Sequence, residues 1–88
     1  MRAFIREDKW NKFKEVLNSY GFYIGEYKPN KYFTKVIEDD LLLVINRKTR
    51  EMQLCTPMGT SPFMEMHIQF YQELYDADFI EFVESKFD

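Results

Sequence analysis

The sequence predicts an α+β fold: an N-terminal helix, a three- to four-stranded antiparallel β-meander, and one or two C-terminal helices packed on the sheet. Three observations carry that expectation. Apolar residues recur at helical spacing between 7 and 20, strand-like runs separated by short turns fill 32–56, and a second helical periodicity starts near 62. The 88 residues suffice for one core, so 1–88 is expected to form a single compact domain. With 18% aromatic residues the chain carries enough apolar area to offset the entropy of ordering, which argues against disorder.

The first helix is read from Trp10, Phe13, Val16, Leu17 and Tyr20, which share one face, while Lys12, Glu15, Asn18 and Ser19 lie elsewhere. Glu7 and Asp8 suit its positive end, and Gly21 suits a left-handed stop with Phe22 folding back. Phe22 to Tyr27 reads as an irregular or edge-like segment before the Lys28-Pro29-Asn30-Lys31 turn. Strands are expected at Tyr32 to Glu38, Leu41 to Asn46 and Arg50 to Thr56, joined by Asp39-Asp40 and Arg47-Lys48-Thr49. The middle strand, Leu41 to Ile45, has no polar alternation, so both of its faces must be covered. Thr56 to Thr60 reads as a linker, and Ser61-Pro62 as the start of a helix reaching about Tyr75. Asp78 and Glu81 fit the spacing of a capping box opening a further helix with Phe79, Ile80, Phe82, Val83 and Phe87, either separate or continuous with the one before. Core positions are expected at Trp10, Phe13, Leu17, Leu42, Val44, Leu54, Phe70 and Leu74.

Little in the chain supports catalysis. His67 is the only histidine and sits on an apolar helical face, where a partly buried, hydrogen-bonded role is the ordinary explanation. Cys55 at a strand end reads as a small core residue, and no local signature joins it to His67. One histidine and one cysteine are too few for common zinc sites. Glu38-Asp39-Asp40 lacks the alternation and central glycine of a calcium loop, and the three scattered glycines form no phosphate-binding motif. The expectation is a non-enzymatic protein without metal or cofactor. The longest apolar run is far short of the ~20 residues that span a bilayer, and Met1 to Asp8 is too charged for a secretory leader, so a cytoplasmic protein without membrane contact is expected. The single cysteine agrees with a reducing compartment. Residues encoded by AT-rich codons (Phe, Tyr, Met, Ile, Asn, Lys) predominate, as in many bacterial and phage genomes.

Charge is distributed unevenly. Residues 1–50 carry 11 Lys/Arg against 7 Asp/Glu, whereas 51–88 carry Lys86 alone against 8 acids, Asp88 among them. The principal functional expectation is macromolecular binding through an acidic C-terminal helical face, Glu65, Gln69, Gln72, Glu73, Asp76, Asp78 and Glu81, which steers the domain onto a basic protein partner. The alternative is nucleic-acid binding by the basic half, with Lys28, Lys31, Lys35, Arg47, Lys48 and Arg50 on phosphates and Tyr23, Tyr27 and Tyr32 stacking on bases. Trp10 and Phe13 at core spacing, and a sequence pI of about 5.1, weigh against it. A homodimer burying the second face of the middle strand and the broad apolar arc after Pro62 is the third.

Overall fold

In the computed structural model, which describes residues 1–84, six strands form one antiparallel sheet: β1 (Arg2–Ile5), β2 (Tyr32–Glu38), β3 (Leu41–Asn46), β4 (Glu51–Thr56), β5 (Gly59–Pro62) and β6 (Ile80–Val83). Their order is β2-β3-β4-β1-β6, and β5 pairs with the remainder of the β4 edge that β1 occupies. Helical structure is short: α1 (Trp10–Val16) lies between 3₁₀ turns Glu7–Lys9 and Leu17–Tyr20, and α2 (Gln72–Asp76) follows a 3₁₀ segment, Glu65–Phe70. The fold is α+β, with more strand and less helix than expected.

The central meander forms as its sequence predicts. Asp39-Asp40 closes β2 onto β3, with a bulge at Ile37 between the pairs Val36/Leu42 and Glu38/Leu41. The β3–β4 turn is held by Asn46, whose Oδ1 accepts the amides of Lys48 (2.8 Å) and Thr49 (2.9 Å), and Arg50 returns the chain with φ of 69°. Gly21, with φ of 88°, ends the first helical segment in the left-handed conformation, and the Phe22 amide bonds back to the Leu17 carbonyl at 3.0 Å.

Strand pairing assigns the faces, because directly opposed residues point the same way. One face carries Ala3, Ile5, Phe33, Leu43, Ile45, Met52, Leu54 and Ile80, and it meets Phe13, Leu17, Phe22, Phe63, Tyr71, Leu74 and Phe79 in the main core. Phe13 is the hub: it stacks on Trp10 at 6.0 Å and meets Phe22 (5.8 Å) and Phe79 (5.7 Å) edge-on. Such pairs each contribute ~0.5–1.5 kcal/mol beyond burial. The other face carries a smaller cluster, Tyr32, Val44 and Cys55, covered by Tyr27 and bordered by Leu42. The second face of the middle strand is therefore covered by the irregular 22–31 segment, whose Tyr23 exchanges backbone hydrogen bonds with Thr34.

The C-terminal third departs from expectation. Thr56 to Gly59 is a tight turn, with Pro57 at its first corner and Gly59 returning at φ of 128°, and Ser61-Pro62 ends β5 where a helix start was expected. Proline is tolerated there because β5 lies on an edge. The expected helix from 62 to 75 is broken at two residues with non-helical backbone, Met64 (φ −115°, ψ 163°) and Tyr71 (φ −154°, ψ 56°), which set off the 3₁₀ segment Glu65–Phe70 from the strand before it and from α2 after it. Asp78 does not cap a helix: at φ of 64° it ends α2, and Ile80–Val83 is β6, with Ile80 buried and Glu81 exposed. Phe87 lies outside the described residues. β1 was not anticipated. Of the expected core positions, Phe13, Leu17, Val44, Leu54 and Leu74 are buried, whereas Trp10, Leu42 and Phe70 are only partly so.

Candidate functional site

The Asx-held turn between β3 and β4 projects Arg47 and Lys48 toward the start of α1 and toward Lys31, just before β2. Together these form an open cleft of about 670 Å³ lined by Trp10, Lys14, Asn30, Lys31, Phe33, Asn46, Arg47, Lys48 and Thr49. Four cations and no carboxylate line it. Its wall is aromatic: Trp10 and Phe33 lie 6.0 Å apart, the Arg47 guanidinium is 5.0 Å from the Phe33 ring, and Lys14 Nζ is 5.7 Å from the Trp10 ring. Arg47 also donates from Nη1 to the Pro29 carbonyl at 2.8 Å, which orders it before any ligand arrives. Lys31 lies over the Tyr32 ring at 5.2 Å, and its carbonyl accepts the Arg47 amide at 2.8 Å, tying two cation-bearing segments together. Side-chain amides of Asn30 and Asn46 add polar edges.

The basic residues expected to act together therefore divide. Lys31, Arg47 and Lys48 share the cleft, and Lys14 joins them. Lys28 lies over Tyr27 outside the lining. Lys35 is structural: Nζ donates to the Tyr20 carbonyl at 3.0 Å and sits 4.0 Å from the Tyr71 ring, where burial lowers its pKa. Arg50 donates to the Ile5 carbonyl at 2.8 Å, securing β1. Tyr32 is buried beneath Tyr27 and is not available for stacking. Trp10, assigned to the core by its spacing, is a partly exposed cleft residue that also packs on Phe13; the signal that distinguishes these roles is its neighbour Lys14, one turn along the same helix face.

The acidic residues do not share a helix face. Glu65 and Gln69 lie on the 3₁₀ segment; Gln72, Glu73 and Asp76 on α2, where Gln72 donates to Asp76 at 2.9 Å; Glu81 on β6. Asp78 is neutralised by the chain itself, 2.7 Å from Arg6 and 3.6 Å from Lys9. Glu65 precedes the exposed Met66 (70% relative exposure) in the chain, and Glu73 and Asp76 share α2 with half-exposed Tyr75 (44%). Across the sheet, the buried Glu51 carboxylate receives both the Nε and Nη2 donors of Arg2.

The remaining titratable candidates have structural roles. His67 Nδ1 accepts the Met64 amide at 3.0 Å and its ring packs against Phe63 and Phe70. Cys55 is buried on the opposite sheet face, and its interaction with the Tyr27 hydroxyl, aided by burial, pushes that phenol up to about 12. No group of three or more His, Cys, Asp or Glu side chains among the described residues is placed to hold a metal ion. No helix among them is long and apolar enough to cross a membrane.

Fold and site define a small α+β protein with a mixed-order antiparallel sheet and a basic, aromatic-walled cleft at one end. Comparison with known protein families, curated proteins and solved structures finds no match.

Proposed function

We propose that this is a non-enzymatic binding domain that holds single-stranded nucleic acid in the cleft between α1 and the β3–β4 turn. One observation carries the reading: Lys14, Lys31, Arg47 and Lys48 converge around Trp10 and Phe33 with no acid between them. Cations along a groove neutralise successive phosphates, and the partly exposed Trp10 ring, backed by buried Phe33, offers a surface to a base, which favours single strands over a closed duplex. The overall negative charge does not oppose this, because the excess acid resides in the C-terminal segment and a Debye length of ~8 Å screens it at physiological salt. Trp10 is the sole tryptophan, so its fluorescence reports the cleft directly. Titration with oligothymidylate at low salt is expected to quench it saturably, and inorganic phosphate at equal phosphate concentration is not. Unchanged fluorescence together with unchanged oligonucleotide anisotropy refutes the reading.

The exposed Met66 and Tyr75 among Glu65, Glu73 and Asp76 favour a second reading, in which the acidic segment docks a basic protein partner. Self-association has less to support it, since the second face of β3 is covered by Tyr27 and the expected apolar helix arc is absent. Charge reversal at Glu73 and Asp76 is expected to abolish capture of a partner recovered from the source cell, and capture that persists rejects this segment as the docking face.

A further inference from the structure

β6 ends the strand order on one side of the sheet, and no strand among the described residues pairs with its outer edge. The opposite sheet edge differs, because Tyr23 already bonds to Thr34 of β2. Which groups β6 presents follows from its register. The Arg6 amide donates to the Phe79 carbonyl at 2.8 Å, so 6 and 79 mark a hydrogen-bonded position of the ladder, although the Phe79 amide itself turns back to the Leu74 carbonyl at 3.2 Å. Antiparallel ladders repeat every two residues, which makes Phe4/Glu81 and Arg2/Val83 exchange pairs and turns the amide and carbonyl of Ile80 and Phe82 away from β1.

Side chains along this edge alternate in chemistry. Ile80 and Phe82 lie on the core face, and the Phe82 ring meets half-exposed Tyr75 at 6.1 Å. Glu81 and Val83 point to the opposite face, both exposed, and Glu84 follows. The nearest cation on that face, Arg2, is opposite Val83 and engaged with Glu51.

We propose that the outer edge of β6 accepts an extended basic segment of a partner protein as an added antiparallel strand, with alternating apolar and basic side chains. The proposal rests on the second reading above and names its contact. Residues opposite Ile80 and Phe82 share the core face, so they are apolar, cover Tyr75 and Phe82, and supply the backbone hydrogen bonds; the residue between them lies beside Glu81 on the opposite face, so it is Lys or Arg. A second copy of this chain is a poor occupant. Antiparallel pairing of β6 with itself, Ile80 opposite Phe82, would set Glu81 directly opposite its own copy, and opposed like charges destabilise a sheet.

The test uses fluorescein-labelled seven-residue peptides of alternating Val and Lys, read by anisotropy on the full chain. The Val-Lys peptide is expected to bind. N-methylation of its Val amides, which face β6, should weaken it by at least about tenfold, the equivalent of one or two lost hydrogen bonds. N-methylation of its Lys amides, which face away, should have little effect. A Val-Glu peptide should not bind, and Glu81→Lys should weaken the Val-Lys peptide. Amide exchange at Ile80 and Phe82 should slow on binding, while Glu81, already bonded to Phe4, should not change. Equal affinity of the two N-methylated peptides overturns strand addition while leaving a purely electrostatic acidic surface in place. Absence of Val-Lys binding, or its binding without protection at Ile80 and Phe82, overturns it as well.

Discussion

Replacing Lys31 and Lys48 by glutamine isolates the electrostatic part of the cleft. Both side chains are exposed; Lys48 makes no ion pair or hydrogen bond through its ammonium among the described residues, and Lys31 touches only the Tyr32 ring face. The structural cost is then the loss of one cation–π contact, ~0.5–1 kcal/mol. If all four cleft cations engage phosphates, the logarithm of affinity falls with the logarithm of salt at a slope of about −0.7 per contact for single strands, or about −2.8 in total. Between about 50 and 200 mM salt the wild-type protein should lose roughly 50-fold in affinity and the double variant only roughly 7-fold, with a slope near −1.4. Oligothymidylate binding followed by Trp10 fluorescence at four or five salt concentrations measures both slopes, and urea unfolding verifies that the variant is folded. A slope unchanged by the double substitution, in a folded variant, refutes phosphate binding by this cleft.

Four further outcomes follow from the packing. Phe13→Ala removes the ring joining Trp10, Phe22 and Phe79 and should cost ~3–5 kcal/mol in denaturant unfolding; a loss under ~1 kcal/mol means the aromatic hub is misassigned. Arg2→Met leaves the buried Glu51 carboxylate without its guanidinium, so it should destabilise by more than Glu51→Met, which leaves a cation already in contact with water; the reverse order in thermal melts contradicts that account. Gly21→Ala forces a side chain into the left-handed region beside Lys35 and should cost ~1–2 kcal/mol, whereas an equal or higher melting temperature excludes the αL stop. At alkaline pH the unfolded Tyr27 ionises near 10 while the folded one holds its proton to about 12, so stability from this group is complete below pH 10 and is lost as pH rises through 12. Tyr27→Phe should flatten that fall in urea midpoint, and an unaltered fall assigns it elsewhere.

The site was only partly legible before folding. The turn Arg47-Lys48-Thr49 and Lys31 were visible as basic residues in a strand-bounded region, and three of the six residues expected on phosphates do converge. Lys35 and Arg50 carry the same charge in the sequence but bond to the backbone carbonyls of Tyr20 and Ile5, partners 15 and 45 residues away that no local pattern reveals. The acidic stripe depended on helical spacing from 62 onward. Once that segment divides into β5, a 3₁₀ turn and α2, the same carboxylates point in several directions, and Asp78 turns to Arg6 and Lys9.

What the sequence by itself determined is the core of the meander and the first helix. Tyr32 to Thr56 and Trp10 to Tyr20 are long enough for their periodicities to be distinct, and Asn46 and Gly21 supply turn chemistry where they stand. The tertiary structure alone decided β1, β5 and β6. Each of these strands has four residues, too few to distinguish a period of two from a helical one; β1 and β6 exist only because distant strands supply their hydrogen bonds, and β5 because β4, across a tight turn, has edge left beside β1. Asp78 and Glu81 fit a helix cap in sequence, yet the unpaired edge of β1 captures Ile80–Val83 and the guanidinium of Arg6 captures Asp78. Nonlocal pairing of backbone groups and charge therefore overrides the local helical preference of the C-terminal third.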